Sequence, residues 1–331
     1  METGFAFFDR QTHRIVQRHA QELGIRHAVA NAEWAGGFNR YVNMWDYMPL
    51  LKTKLDMNEF GMKFSVLEGV NFLDEAKLGT SGRDEAIAHF IQLLENMSEL
   101  GIEVCCYNWM PVWGWFRSES NRVLPGGATV TAFDIEKVPQ RPITPLGEVT
   151  EDRLWTNLEY FLKAVVPYAE KYRIRLAVHP DDPPVPNIGG IHRILISADA
   201  MQRVVDLVPS EYNGITMCQG CFAAMGEDVP AMIRHFGAQK KIFFAHFRDV
   251  SGERNHFREE FHDTGKTDMI EAMKAYFDVG FDGVIRPDHV PTMYDDTVNE
   301  QGYGVNGNLY AAGYMAGVME TVRKLYGKTD T

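Results

Sequence analysis

The chain has 331 residues, 45% of them hydrophobic, and a formal net charge of −12 at pH 7. Its size allows a large buried core, and its acidic balance argues against nucleic acid as the main partner, because phosphate backbones are bound by basic surfaces. The N-terminus shows no signal-peptide pattern and no window is apolar enough to span a bilayer, so we expect a cytoplasmic protein without a membrane partner.

Short apolar runs alternate with segments of helical periodicity along the chain. Eight runs are predicted strands, at residues 4–8, 25–30, 62–68, 102–108, 173–179, 213–218, 241–247 and 283–287. The predicted helices are residues 11–23, 84–100, 151–172, 197–208, 229–236, 267–278 and 309–326. Eight such units predict an α/β fold of the closed (β/α)₈ TIM-barrel type rather than a doubly wound sheet. We interpret residues 1–331 as a single domain.

Two long connections interrupt this alternation. Residues 109–150, rich in Pro, Gly and Trp, follow the fourth predicted strand, and residues 289–308 follow the eighth. In a TIM barrel the loops after strands lie on the C-terminal face, where active sites are built, so we expect both insertions to lie over a pocket. Neither glycine-rich phosphate-binding signature is present, which argues against nucleotide-dependent chemistry.

The four cysteines do not form the pattern of a secreted disulfide scaffold. Cys105 and Cys106 lie in an apolar run and are expected to be buried. Cys218 and Cys221 have the spacing of a redox pair or of half a zinc site. Neither interpretation is strong, because the thioredoxin-like context and the second cysteine pair are both missing.

Four consecutive predicted strands end in side chains that bind metals. The strand at 173–179 ends in His179, and the next three end within one residue of Cys218, His246 and Asp288. Neighbouring strands of a parallel barrel end at the same rim. Imidazole, thiolate and carboxylate groups at one rim suit a divalent transition metal with open positions for a substrate. One such residue alone would more often be structural, so the prediction depends on the four together.

Five segments carry a resemblance to a known family. They are CCYNWMPV at 105–112, HPDDPP at 179–184, the strand end at Cys218, HFRDV at 246–250 and RPDH at 286–289, in order within residues 60–315. These segments resemble D-mannonate dehydratase. The resemblance implies a barrel of the xylose-isomerase-like superfamily that converts D-mannonate to 2-keto-3-deoxy-D-gluconate. It also implies Mn²⁺, or another divalent metal, held by His179, Cys218, His246 and Asp288, and acid–base roles for His289 and Tyr303.

These roles fit the chemistry of dehydrating a sugar acid. A weakly acidic proton beside a carboxylate must be removed, and hydroxide must leave the neighbouring carbon, so an acid and a base must flank the substrate. A divalent cation would stabilise the charge that develops. Which of His289 and Tyr303 takes the C2 proton stays open. The predicted substrate contacts are Asn108, Arg117, Asp181, Arg248 and Arg286.

Several of these residues also have structural interpretations. Asp181 is typical of a turn that caps a strand, and Tyr303, between two glycines, is compatible with a turn aromatic. Arg248 and Arg286 can each pair with an aspartate close to them in the chain.

Three segments depart from the family pattern. Gly114 stands where the family usually has aspartate, residues 219–225 replace a segment that contains arginine, and residues 30–34 replace a histidine-containing loop. A dehydratase for another aldonic or uronic acid therefore stays open, as do a sugar isomerase or epimerase of the same superfamily and a non-catalytic sugar-acid binding protein. By analogy with other barrels we also expect a homo-oligomer, most simply a dimer.

Overall fold

Eight parallel strands pair into a closed barrel in this computed structural model, which describes residues 1–8, 13–31, 42–296 and 302–327. The strands are β1 (Glu2–Phe7), β2 (His27–Ala30), β3 (Lys63–Glu68), β4 (Val104–Asn108), β5 (Glu119–Val123), β6 (Thr129–Asp134), β7 (Arg175–His179), β8 (Asn187–Ile188), β9 (Ile191–His192), β10 (Asn213–Cys218), β11 (Ile242–Phe247), β12 (Val250–Glu253), β13 (His256–Glu259) and β14 (Val284–Pro287). The order around the barrel is β1-β14-β11-β10-β7-β4-β3-β2. The predicted (β/α)₈ fold is confirmed.

Each of the eight predicted strands coincides with a barrel strand, and their ends differ by at most two residues. The apolar runs were informative because these strands are buried on both faces, by helices outside and by packed side chains inside. β10 and β11, for example, are buried along their whole length. Because β1 pairs with β14, the first and last strands close the same sheet.

Helices alternate with the barrel strands. They are α1 (His13–Glu22), α2 (Tyr47–Asn58), α3 (Asp74–Leu78), α4 (Arg83–Leu100), α5 (Glu151–Tyr172), α6 (Ala198–Leu207), α7 (Gln219–Met225), α8 (Val229–Ala238), α9 (Met269–Asp278) and α10 (Val305–Leu325), with a 3₁₀ helix at Ile135–Lys137. Four helices begin with a side-chain cap that accepts a hydrogen bond from the backbone N–H three residues later, at Thr150, Ser197, Asp228 and Asp268.

Three helices, α2, α3 and α7, are not predicted by the sequence pattern. All seven residues of α7 are buried, so it has no polar face to reveal a helical period. In α2, Met48 and Leu55 are exposed while Leu50 and Met57 are buried, so its apolar residues do not form one stripe. α3 has five residues, which is too short for periodicity to be read.

A second, antiparallel sheet joins the first long insertion to the connection after β11. Its order is β12-β13-β6-β5, and its strands β5 and β6 lie within residues 109–150. The pairing of β13 with β6 places Phe257 opposite Phe133. This sheet brings Arg117, just before β5, and Glu259, at the end of β13, to the same place. In the second long connection α10 begins at Val305, inside the predicted loop, and residues 297–301 lie outside the described residues.

None of the helices in the described ranges is both long enough and apolar enough to cross a membrane.

Candidate active site and metal centre

A cavity of about 400 Å³ opens at the carboxyl ends of the barrel strands. Its polar lining includes Asn31, Glu68, Asn71, Asn108, His179, Asp182, His246, Asp288, His289 and Tyr303. Among the residues that the structure describes, no lysine or arginine lines it. Its volume and its converging polar groups are typical of a small-molecule site, and its position is that of TIM-barrel active sites.

Strand register brings the four predicted metal ligands together. Cys218 pairs with His246 across β10 and β11. One ligand atom from each of His179, Cys218 and His246 lies within 4.8 Å of the others. Oδ2 of Asp288 lies 3.4 Å from His246 Nδ1 and 3.8 Å from Cys218 Sγ. The four groups therefore converge as the strand-end argument predicts, and metal binding by them remains a prediction.

A hydrogen bond at His179 and an ion-pair contact at His246, both on the outer side of the ring, indicate which ring nitrogen faces the centre. His179 Nδ1 lies 2.6 Å from the carbonyl oxygen of Pro180, which can only accept, so Nδ1 carries the proton and Nε2 faces inward. His246 Nε2 lies 3.1 Å from Glu68 Oε1, which leaves Nδ1 inward, 3.3 Å from His179 Nε2. Two inward nitrogens at this distance must share a proton or a cation, because two facing lone pairs would repel each other. Outer carbonyl and carboxylate partners are typical of metal-binding histidines.

The surroundings of Cys218 favour ionisation of its thiol. Burial raises the pKa of its thiol, but the hydrogen bond from Cys221 and the Arg248 guanidinium outweigh burial and hold it well below its ordinary value. Arg248 Nη1 lies 3.4 Å from Cys218 Sγ and 3.4 Å from Asp288 Oδ2. Because the thiolate is the form that binds metals, Cys218 fits the predicted site.

Two arginines and two carboxylates form a closed ring of ion pairs behind the centre, here called the charge ring: Arg117, Asp182, Arg248 and Glu259. Arg117 donates to Asp182 at 2.6 and 2.9 Å and to Glu259 at 2.7 Å. Arg248 donates to Asp182 at 2.8 Å and to Glu259 at 2.7 and 2.8 Å. None of the four side chains is more than 3% exposed. Removing one member of such a group leaves an uncompensated buried charge, at a cost of about 3–5 kcal/mol.

A glycine beside Arg248 and a lowered pKa of Glu259 are both connected with the charge ring. Gly220 of α7 allows the close approach of Arg248, because a Cβ there would lie 2.6 Å from Arg248 Nε. Burial alone would raise the pKa of the Glu259 carboxyl, but the guanidinium groups of Arg248 and Arg117 lower it to about 2. Glu259 is therefore a carboxylate that accepts hydrogen bonds and donates none.

The two predicted acid–base residues lie on the cavity wall beside the four predicted metal ligands. His289 Nδ1 is 3.3 Å from Glu259 Oε1, and the His289 ring lies 4.9 Å from Trp115 and 5.4 Å from Tyr303 between centroids. The Tyr303 hydroxyl donates to Asp288 Oδ1 at 3.3 Å. Both side chains are therefore next to any substrate that lies at the centre.

Asn108 is the predicted substrate contact that lines the cavity. Its Oδ1 accepts hydrogen bonds from Lys77 Nζ and from the Met110 N–H, each at 3.1 Å. The Nδ2 amide of Asn108 is therefore the group left to donate into the cavity.

The three predicted arginine contacts do not line the cavity. Arg117 and Arg248 belong to the charge ring, and Arg286 donates to both carboxylate oxygens of Glu68 at 2.9 Å and lies 3.1 Å from Asp288 Oδ1. These contacts favour the structural interpretation of Arg248 and Arg286: Arg286 pairs with the expected Asp288, whereas Arg248 pairs with Asp182, Glu259 and Asp288 instead of the expected Asp249. Direct contact of these arginines with a substrate remains a prediction.

Asp181 also lies away from the cavity. Its Oδ2 accepts hydrogen bonds from the backbone N–H groups of Ile194 and Leu195, at 2.8 and 2.9 Å. Asp181 therefore stabilises the turn after β7, in agreement with its structural interpretation.

Sequence reasoning missed Glu68 and Glu259. Glu68 ends the apolar run of β3 and so carries the same strand-end signal as the predicted ligands. Glu259 lies on a polar hairpin whose sequence gives no such signal. The predicted departure at residues 30–34 is described only for Ala30 and Asn31, and Ala32, Glu33 and Trp34 lie outside the described residues. Gly114, the departure in the first insertion, lines the cavity.

Comparisons with known proteins agree on one family. The family model described as D-mannonate dehydratase (UxuA) matches residues 1–148 and 140–329. The chain is 34% identical over 318 residues to the mannonate dehydratase of Thermotoga neapolitana, a match that covers 85% of this chain and 88% of that protein. It is similar to the crystal structure of mannonate dehydratase from Streptococcus suis serotype 2, with a TM-score of 0.91 and 31% identity, over 100% of this chain and 96% of that one. A D-tagatose 3-epimerase-like protein has a TM-score of 0.64 at 15% identity, over 98% of this chain and 100% of that one, which shows a shared fold alone.

Proposed function

The chain belongs to the D-mannonate dehydratase family, and from this premise we propose that it removes water from D-mannonate to give 2-keto-3-deoxy-D-gluconate. The proposal rests on one observation: His179, His246 and Asp288 line the cavity beside His289 and Tyr303, and Cys218 Sγ lies next to these three side chains. Family membership favours dehydration over isomerisation or epimerisation, because likeness to epimerases is limited to the fold.

The reaction breaks two bonds on neighbouring carbons. The C2 proton passes to a base, and the C3 hydroxyl leaves as water after it receives a proton from an acid. The enol that remains becomes a 2-keto acid by taking up a proton at C3. His289 and Tyr303 are the groups proposed to exchange these protons, since both line the cavity and their ring centroids are 5.4 Å apart. Proton transfer by positioned groups typically contributes about 10²–10⁴-fold.

We propose that His179, Cys218, His246 and Asp288 hold a divalent cation, Mn²⁺ in the first instance. When bound, such a cation supplies Lewis-acid stabilisation of the charge that develops on the substrate carboxylate. The inward ring nitrogens of the two histidines and the thiolate of Cys218 fit this role. The lining supports it as well, because no cationic lysine or arginine of the described residues faces the cavity to meet the substrate carboxylate.

The decisive experiment is to incubate the purified protein with D-mannonate and Mn²⁺ and to assay the 2-keto-3-deoxy product and its mass. We expect a product lighter by one water, formed with Mn²⁺ and not with chelator. A product of unchanged mass would indicate an isomerase or epimerase, and binding without turnover would indicate a binding protein.

The substrate panel should include other aldonic and uronic acids. Gly114 lines the cavity where the family usually has aspartate, so this chain lacks a carboxylate at that point of the wall. Faster turnover of another sugar acid than of D-mannonate would identify a dehydratase of different specificity.

The proposal also includes a partner, a location in the cell and an oligomeric state. A small sugar acid is the proposed partner, and a cytoplasmic location suits the four free, buried cysteines. A homodimer is proposed by analogy with other barrels, and size-exclusion chromatography with light scattering tests it.

A further inference from the structure

Glu259 makes a contact that the charge ring does not need. Its Oε1 accepts hydrogen bonds from Arg117 and Arg248, each at 2.7 Å, and lies 3.3 Å from His289 Nδ1. Glu259 is completely buried and lies on β13, in the second sheet rather than in the barrel. A carboxylate of the outer sheet thus reaches a side chain on the cavity wall.

The chemistry of this contact fixes the proton on the His289 ring. A carboxylate that already accepts from two guanidinium groups is ionised and has only acceptor sites. The His289 nitrogen next to it must therefore be a donor, so Nδ1 carries a proton. Nε2 is then the atom of His289 that exchanges a proton with a substrate.

Packing around the His289 ring does not by itself determine which ring nitrogen carries the proton. Trp115 and Tyr303 contact the His289 ring at centroid distances of 4.9 and 5.4 Å, and they restrict its position without selecting a tautomer. The hydrogen bond to Glu259 selects the His289 tautomer with the proton on Nδ1, as a carboxylate does for the histidine of a catalytic triad.

We propose that Glu259 is a positioning residue of the reaction, which holds His289 with its proton on Nδ1 and its Nε2 towards the substrate. The effect of Glu259 on kcat rests on the dehydratase function proposed above, whereas its effect on the position of the His289 proton does not. The charge ring serves two purposes in consequence: it compensates the buried charges, and it holds the Glu259 carboxylate in place.

The test compares Glu259→Asp with the matched control Glu260→Gln. Aspartate keeps the charge that the two arginines need and withdraws the carboxylate from His289. Glu260 is also buried and belongs to the same connection, but it bonds Ser251 and Arg258, at 2.7 Å each, and does not contact His289.

For Glu259→Asp we expect kcat for the dehydration of D-mannonate to fall at least about 10-fold, with KM and bound metal little changed. Glu260→Gln should leave all three unchanged. Equal kcat values for Glu259→Asp and the control would overturn the proposal, as would a fall in kcat that merely follows metal loss.

A second measurement decides the tautomer without activity. Nitrogen-15 spectra of histidine-labelled, metal-free protein should show a protonated, hydrogen-bonded Nδ1 for His289, assigned by its disappearance in His289→Gln. Glu259→Asp should shift this signal towards the Nε2–H form. An unprotonated Nδ1 in the wild-type chain would overturn the proposal even if the protein turns over no sugar acid.

Discussion

Replacing Arg117 with methionine separates two roles that the residue can have. The sequence predicts a substrate contact, whereas the structure places its guanidinium in the charge ring, 3% exposed and bonded to Asp182 and Glu259. Methionine keeps the apolar stem and removes the charge. The two carboxylates are then left with Arg248 as their remaining guanidinium partner.

The expected cost follows from that burial. Breaking a buried ion-pair group by removing one partner costs about 3–5 kcal/mol of unfolding free energy, and the remaining Arg248 favours the lower end. A matched control exists on the surface. Arg234 also binds two carboxylates, Glu271 and Asp278, but these side chains are 36–39% exposed, so Arg234→Met should cost less than about 1 kcal/mol.

Urea unfolding of the metal-free proteins, followed by circular dichroism, gives the comparison without a contribution from bound metal. We expect Arg117→Met to lose clearly more stability than Arg234→Met. If the two variants are equally stable and Arg117→Met only raises KM for the sugar acid, the charge ring does not stabilise the fold as argued and Arg117 is a substrate contact.

Three further predictions concern residues around the site. Burial lowers the pKa of His262 from 6.5 to about 4, so its imidazole is neutral in the folded chain. Because the unfolded chain takes up a proton on this side chain at higher pH than the folded chain does, the free energy of unfolding should fall by about 3 kcal/mol as pH falls through this range. The side chain of His262→Gln can still donate to the Phe247 carbonyl, but the variant should lack this part of the pH dependence in urea titrations. If unfolding free energy falls equally with pH in the variant and the wild-type chain, the prediction is wrong. Asn108→Asp replaces an inward donor by an acceptor and should raise KM for a sugar acid about 10-fold, whereas an unchanged KM would exclude that contact. Gly220→Ala should displace Arg248 and lower both metal affinity and stability, and wild-type values in metal titration and urea unfolding would refute the close-approach argument.

The barrel and the convergence of the four predicted ligands could be predicted because their signals are local. A barrel strand is a continuous apolar run, and a predicted ligand such as His179 or Cys218 stands at the end of that run, so both can be recognised within a few residues. Parallel topology then brings the ends together without further information. Glu68 has the same signal, because it ends the apolar run of β3.

The charge ring and the second sheet were not predictable in this way. Arg117 and Glu259 are separated by 142 positions, and their contact exists because β13 pairs with β6. The hairpin of β12 and β13 is short, polar and partly exposed, so it lacks a clear strand pattern. Which arginine faces a carboxylate and which faces the cavity depends on such distant pairing.

His179, Cys218, His246 and Asp288 are proposed to hold one divalent cation at the cavity. Titration of the metal-free chain with Co²⁺ tests it most directly, because a cysteine ligand gives a thiolate-to-metal charge-transfer band. We predict a band that saturates at one equivalent per chain and is lost in Cys218→Ser but kept in Cys105→Ser. A wild-type chain without the band, or a Cys218→Ser variant that retains it, would contradict the claim.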